Sequence, residues 1–137
     1  MDIDDEFDLL DVEMFNINLA ITRMSLASIH AAEGKLDAAI EEYSRVLEFD
    51  PNLYLAYFNR GRAFWRKGER ERAKEDITRA INLEPSVAIT YICRGDIFLD
   101  QGDLSSARKD YRKALELSPA NPTVKERMEM LRKKRRK

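Results

Sequence analysis

The chain has 137 residues, 44% hydrophobic and 36% charged, with a net charge of −1; this suits one helix-rich domain and excludes a wholly disordered polypeptide. One cysteine, Cys93, and one histidine, His30, exclude an intramolecular disulfide framework and leave no thiolate or imidazole cluster for zinc, so neither a metal nor a cofactor is expected. No apolar run approaches a membrane span, and the acidic opening MDIDDEFD is unlike a basic targeting segment, so a cytoplasmic protein is expected.

The small net charge hides an asymmetry. Residues 1–22 contain seven acidic and no basic side chains, residues 123–137 contain eight basic and two acidic, and the middle balances at sixteen of each. Within the acidic extension, residues 1–19, an apolar line begins that runs on into the next segment. Ile3, Phe7, Leu10, Met14, Ile17, Ile21 and Met24 follow one another at alternating steps of four and three, which places them on one helical face. The spacing predicts a helix, either continuous from about Ile3 to Ala32 or broken near Asn16 or Asn18.

From Ala20 the chain repeats every 34 residues. Gly34, Gly68 and Gly102 keep that interval, as do Pro51, Pro85 and Pro119, Ala39, Ala73 and Ala107, and Tyr43, Ile77 and Tyr111. Such phase agreement marks an internal repeat of one supersecondary unit, with boundaries 20–53, 54–87 and 88–121. Before its glycine, each of the last two units places Tyr57, Gly61 and Phe64, or Tyr91, Gly95 and Phe98, on one helical face. After it, Ala73, Ile77 and Ala80, or Ala107, Tyr111 and Ala114, form a second. The expected unit is an antiparallel helical hairpin turned at the glycine and closed by the proline.

Asn121 and Pro122 read as an N-cap and first helical residue of a last segment, 122–137. Val124, Met128 and Leu131 give it a narrow apolar stripe suited to covering the last hairpin, and six consecutive cations, residues 132–137, end it. The tail reads as a solvated helix end, with a nuclear import signal as the alternative. Without interleaved aromatics or polar base readers, nucleic-acid binding is not expected.

The series Tyr57, Gly61, Phe64, Gly68, Ala73, Ile77, Ala80 and Pro85, repeated as Tyr91, Gly95, Phe98, Gly102, Ala107, Tyr111, Ala114 and Pro119, resembles the tetratricopeptide repeat (TPR). The first unit departs from it in its opening helix, with Arg23, Ala27 and His30 in place of Tyr57, Gly61 and Phe64. The resemblance implies an all-α, right-handed superhelix of three hairpins whose first helices line a concave groove. It implies a protein-protein interaction scaffold or adaptor that holds a peptide or helix there, and not an enzyme: no catalytic residue is assigned. On the family's pattern the groove is lined by Met24 and Ser28 (with Ile21 and Ser25), by Leu55, Phe58, Asn59, Arg62, Trp65 and Arg66, and by Ile89, Ile92, Asp96 and Asp100 (with Cys93 and Leu99). TPR proteins that grip acidic chaperone tails resemble one another in a clamp of two lysines, two asparagines and an arginine. Here only Asn59 matches, with Met24, Ser28, Ile89 and Cys93 at the other four positions, which argues against that ligand.

Arg62 and Arg66 sit one turn apart, as do Asp96 and Asp100, so either they orient a charged ligand or Arg62 pairs with Asp96 and Arg66 with Asp100. Trp65 is equally suited to anchoring a partner and to packing between units. For the N-terminal helix, capping of the first hairpin is the plainest expectation. The alternatives are pairing with a partner or second copy, as a self-assembly element, and folding over the groove. A monomer or weakly self-associating chain is expected.

Overall fold

The 34-residue punctuation becomes alternating helices and tight turns. The computed structural model describes residues 3–135, and the side chains of residues 8–134. Its elements are α1 (Ile3–Ala32), α2 (Leu36–Phe49), α3 (Tyr54–Lys67), α4 (Arg70–Leu83), α5 (Ala88–Gln101), α6 (Leu104–Leu117) and α7 (Pro122–Arg135), with no strand among the described residues. The C-terminal half of α1 pairs with α2, α3 with α4, and α5 with α6, stacking three hairpins in chain order before α7. The fold is all-helical, three stacked helical hairpins followed by a last helix.

Each hairpin turn is made the same way. Gly68 and Gly102 adopt φ of +86° and +83°, the left-handed region that a side chain would strain. The Gly68 N–H then donates to Trp65 O and the Glu69 N–H to Phe64 O, both at 2.9 Å, which satisfies two carbonyls left open by the end of α3. At the starts of α6 and α7, Asp103 accepts from the Ser106 N–H at 3.1 Å and Asn121 from the Thr123 N–H at 2.9 Å, so Asn121 caps α7 as its sequence predicts.

The two helices of a hairpin approach most closely at a glycine. A Cβ on Gly61 would stand 2.9 Å from Ile77 Cγ1 and 3.1 Å from Ala73 O, and one on Gly95 would stand 2.6 Å from the Tyr111 ring. Ala27 occupies the corresponding place in the first hairpin, fully buried with Ala39 and Tyr43. From Phe58 onward one continuous core joins the second and third hairpins to α7, where Val124 and Leu131 are buried and Met128 packs beside them. Val46, Leu47 and Ala56 join the first hairpin to the second.

A polar tie spans each later hairpin. Arg60 forks onto Asp76 with two bonds of 2.7 Å and also donates to Ser44 Oγ at 3.1 Å. Thirty-four residues on, Arg94 forks onto Asp110 at 2.8 and 2.7 Å and donates to Thr78 Oγ1 at 3.2 Å. Each arginine thus joins its own hairpin partner to the preceding unit. Asp76 and Asp110 are buried, so the bidentate geometry compensates two desolvated carboxylates. The first hairpin has a single Arg23–Glu42 bond of 3.1 Å instead.

α1 is unbroken through Asn16 and Asn18, and its N-terminal half does not cap the first hairpin. Residues 8–18 are all exposed, including Leu9, Leu10, Val12, Met14, Phe15 and Ile17, each more than half accessible. The stripe continues along the axis of α1 past the end of the hairpin, and residues 8–18 are covered by no other helix among the described residues.

Two outcomes are expected. Gly95→Ala forces a methyl into the buried Tyr111 ring, and the overpacking cost of about 1–3 kcal/mol exceeds the helix-propensity gain of about 1 kcal/mol; the midpoint of urea unfolding falls. Asp110→Ala strands the half-buried Arg94 and costs about 3 kcal/mol or more in the same measurement, whereas an Arg94→Met/Asp110→Leu pair costs less than the single change.

Candidate binding groove

The first helices α1, α3 and α5 place chemically similar side chains at equal positions on one face. Ile21, Leu55 and Ile89 are 34 residues apart and form a row of aliphatic side chains that are 60%, 42% and 49% exposed. One turn further along α3 stands the half-buried Asn59, then the exposed Arg62 and Arg66. Two cavities flank these arginines. One of about 240 Å³ lies between α1 and α3, lined by Ser28, Ala31, Tyr43, Asn59, Arg62 and Arg66 among others. The other, of about 230 Å³, lies between α3 and α5, lined by Arg62, Trp65, Arg66, Cys93, Asp96 and neighbouring isoleucines. Arg62 and Arg66 therefore form the ridge shared by both.

A larger opening of about 640 Å³ lies along α5 and α6, lined by Tyr91, Arg94, Arg108, Lys109, Arg112 and Lys113 among others. It is a broad cationic surface outside the row of first helices, and it shares no residue with the two groove cavities.

Of the residues expected to line the groove, Ser28, Asn59, Arg62, Trp65, Arg66, Cys93 and Asp96 line the two groove cavities, while two others are removed from contact. Phe58 and Ile92 are only 6% and 3% exposed. They belong to the core with Ile77, Ile81 and Ile97, so their apolar surface is already spent on packing between hairpins. Met24 is half-buried and shared between the two clusters of the first hairpin. Trp65 is half-buried, packing against the core with one side and lining the α3–α5 cavity with the other.

The ion pairs expected across neighbouring helices are not formed. Asp96 accepts from Arg127 Nε at 2.8 Å and from the Tyr111 hydroxyl at 2.5 Å. Asp100 accepts from Arg70 Nη2 at 2.8 Å. Helix α7 sets Arg127 one repeat beyond Cys93, beside Asp96, and so outcompetes Arg62. Arg62 instead lies over the Phe58 ring, 5.6 Å from its centroid, and Arg66 donates to the Ala31 carbonyl at 2.7 Å. Among the described residues, no carboxylate pairs with either arginine. The groove's acids are thus neutralised internally and its two arginines are not.

Burial and the bond to Asp96 hold the Tyr111 phenol well above its ordinary range. Burial likewise pushes the Cys93 thiol up to about 11, opposed by the nearby Arg62, so this wall of the groove carries a protonated thiol and not a nucleophile. His30 is half-buried with Nδ1 unpartnered and stands in the packing position that Phe64 and Phe98 hold in later units.

Sequence reasoning missed Arg60, Arg94, Asp76 and Asp110, the polar ties that hold the groove helices at their spacing. Their signal was present: both pairs obey the 34-residue interval, with Ser44 and Thr78 in the same phase. Arg127 carried no such signal, because it has no counterpart in the earlier units.

No described helix is long and apolar enough to cross a membrane. No curated protein sequence matches the chain. Among solved structures, the first TPR of Spaghetti (RPAP3) bound to the HSP90 peptide SRMEEVD is 26% identical with a TM-score of 0.83, covering 88% of this chain and 95% of that one. The second TPR domain of human RPAP3, in complex with the HSP70 peptide SGPTIEEVD, is 28% identical with a TM-score of 0.79, covering 85% and 98%. The Arabidopsis OM64 TPR domain shares the fold at 24% identity and a TM-score of 0.82, covering 86% and 98%. Family models for the TPR repeat match residues 27–68 and for the tetratricopeptide repeat residues 58–122. With its 34-residue hairpins, their glycine turns and these matches, the chain belongs to the tetratricopeptide repeat family, whose domains are protein-protein interaction modules.

Proposed function

We propose that this protein is an interaction scaffold whose concave face holds a peptide or helix of a partner protein. The observation that carries the proposal is the pairing of an exposed aliphatic row, Ile21, Leu55 and Ile89, with two arginines that have no carboxylate partner among the described residues. An apolar strip at this exposure supplies affinity through burial, and Asn59, Arg62 and Arg66 orient a ligand bearing carbonyls or carboxylates. The half-buried Trp65 supplies a rigid aromatic wall.

The ligand differs in kind from the chaperone tails in the two RPAP3 complexes. At the positions where a TPR clamp grips a terminal carboxylate, this chain has Met24, Ser28, Ile89 and Cys93 beside Asn59. Two aliphatic or thioether side chains, a hydroxyl and a protonated thiol cannot neutralise a desolvated carboxylate. Arg62 and Arg66 lie further along α3, at a different depth of the groove, so the favoured ligand places its acidic groups along its length and not at a C-terminus.

Leu55→Asp with Ile89→Asp, and separately Arg62→Glu with Arg66→Glu, alter only surface-facing groups. Each pair is expected to reduce partner capture by about tenfold or more with the helical circular dichroism unchanged. Arg108→Glu with Arg112→Glu, on the other cationic surface, leaves capture intact. Loss of capture only in this last variant would overturn the reading. A fluorescent peptide ending in Glu-Glu-Val-Asp is expected to show no saturable anisotropy change, and tight binding would restore the chaperone-tail assignment.

A further inference from the structure

We propose that the groove of one copy receives the N-terminal half of α1 from a second copy, the two exchanged reciprocally to close a dimer. This rests on the groove reading above and names its occupant.

The unpartnered element is α1 itself. Leu10, Met14 and Ile17 form a line on its N-terminal half, and each is more than half exposed. At about 100° per residue, Glu13 lies on one side of that line and Asp11 on the other, so the stripe is apolar with acidic borders. The groove is the complement, with Leu55 and Ile89 exposed on its floor and Arg62 and Arg66 paired with no carboxylate among the described residues.

Charge and geometry decide between the candidate occupants. Two α1 halves packed on each other would bring together segments with seven acidic and no basic side chains each within residues 1–22, a repulsive pairing. The chain's own groove is out of reach, because α1 is one helix from Ile3 to Ala32 and its N-terminal half cannot turn to cross α3 and α5. A second copy meets neither obstacle. Residues 3–17 span about 22 Å as a helix, and three adjacent first helices spaced by about 8–10 Å present a groove about 20 Å across. Exchange in both directions is isologous and closes at two copies.

Sedimentation equilibrium of the full chain tests this. The expected result is a mass that rises with concentration from 16.0 kDa toward twice that value. Met14→Glu/Ile17→Glu, which spoils the helix, and Arg62→Glu/Arg66→Glu, which spoils the groove, each hold the chain at the monomer mass with unchanged helical circular dichroism. Mixing the two variants restores one of the two exchanges, an intact groove with an intact helix, so association reappears but is weaker than in the wild-type chain. A monomeric wild-type chain at every concentration overturns the proposal, as does association that survives Arg62→Glu/Arg66→Glu or Met14→Glu/Ile17→Glu. If the wild-type chain is monomeric while the groove substitutions still abolish capture of another protein, self-occupancy fails and the groove reading stands; if they leave capture intact, both fail.

Discussion

The contact on which this architecture depends is the approach of two helices at a residue without a side chain. At Gly61 and Gly95 there is no room for a Cβ: Ile77 and the Tyr111 ring fill the space it would take. That closeness lets Arg60 and Arg94 reach across their hairpins and fork onto Asp76 and Asp110 at 2.7–2.8 Å. The same arginines reach back to Ser44 and Thr78. Packing and polar tie are therefore one device, and its repetition sets the spacing of the helices that line the groove. In a repeat array stability is mostly a sum of such nearest-neighbour contacts.

The ends of the array are treated differently. At the C-terminal end α7 buries Val124 and Leu131 against the third hairpin and turns charged residues outward. Arg127 is the exception, and it takes Asp96 as its partner. At the N-terminal end the first hairpin has Ala27 where later units have glycine, and a single Arg23–Glu42 bond where they have a bidentate pair. Its first helix runs on past the array with its apolar stripe in solvent.

The electrostatics of the groove follow from those ends. Asp96 and Asp100 are matched by Arg127 and Arg70, so these two acids of α5 are neutralised by residues of α7 and α4. Arg62 and Arg66 are left to a ring face and a backbone carbonyl, weaker partners than a carboxylate. A net cationic ridge between the two cavities results from where Arg127 of the cap helix and Arg70 of α4 land, not from the composition of α3 alone.

The sequence by itself determined the hairpins, their turns and their order. Glycines, prolines, alanines and aromatics in one 34-residue phase are local signals, since a left-handed turn or a helical face depends only on residues within a few positions. The capping of α7 by Asn121 was legible for the same reason, whereas Leu55 and Ile89 were named only through the resemblance to the repeat family. What lay beyond the sequence was competition between distant partners. Phe58 and Ile92 carry the same helical-face signal as their exposed neighbours, yet the stacking of the third hairpin buries them. Asp96 could have paired with Arg62 on the adjacent helix, and only the placement of α7, 31 residues away, gives it to Arg127. An apolar stripe likewise announces a face to be covered without saying what covers it. For α1 the tertiary structure decided that the first hairpin does not, because the helix runs straight past it.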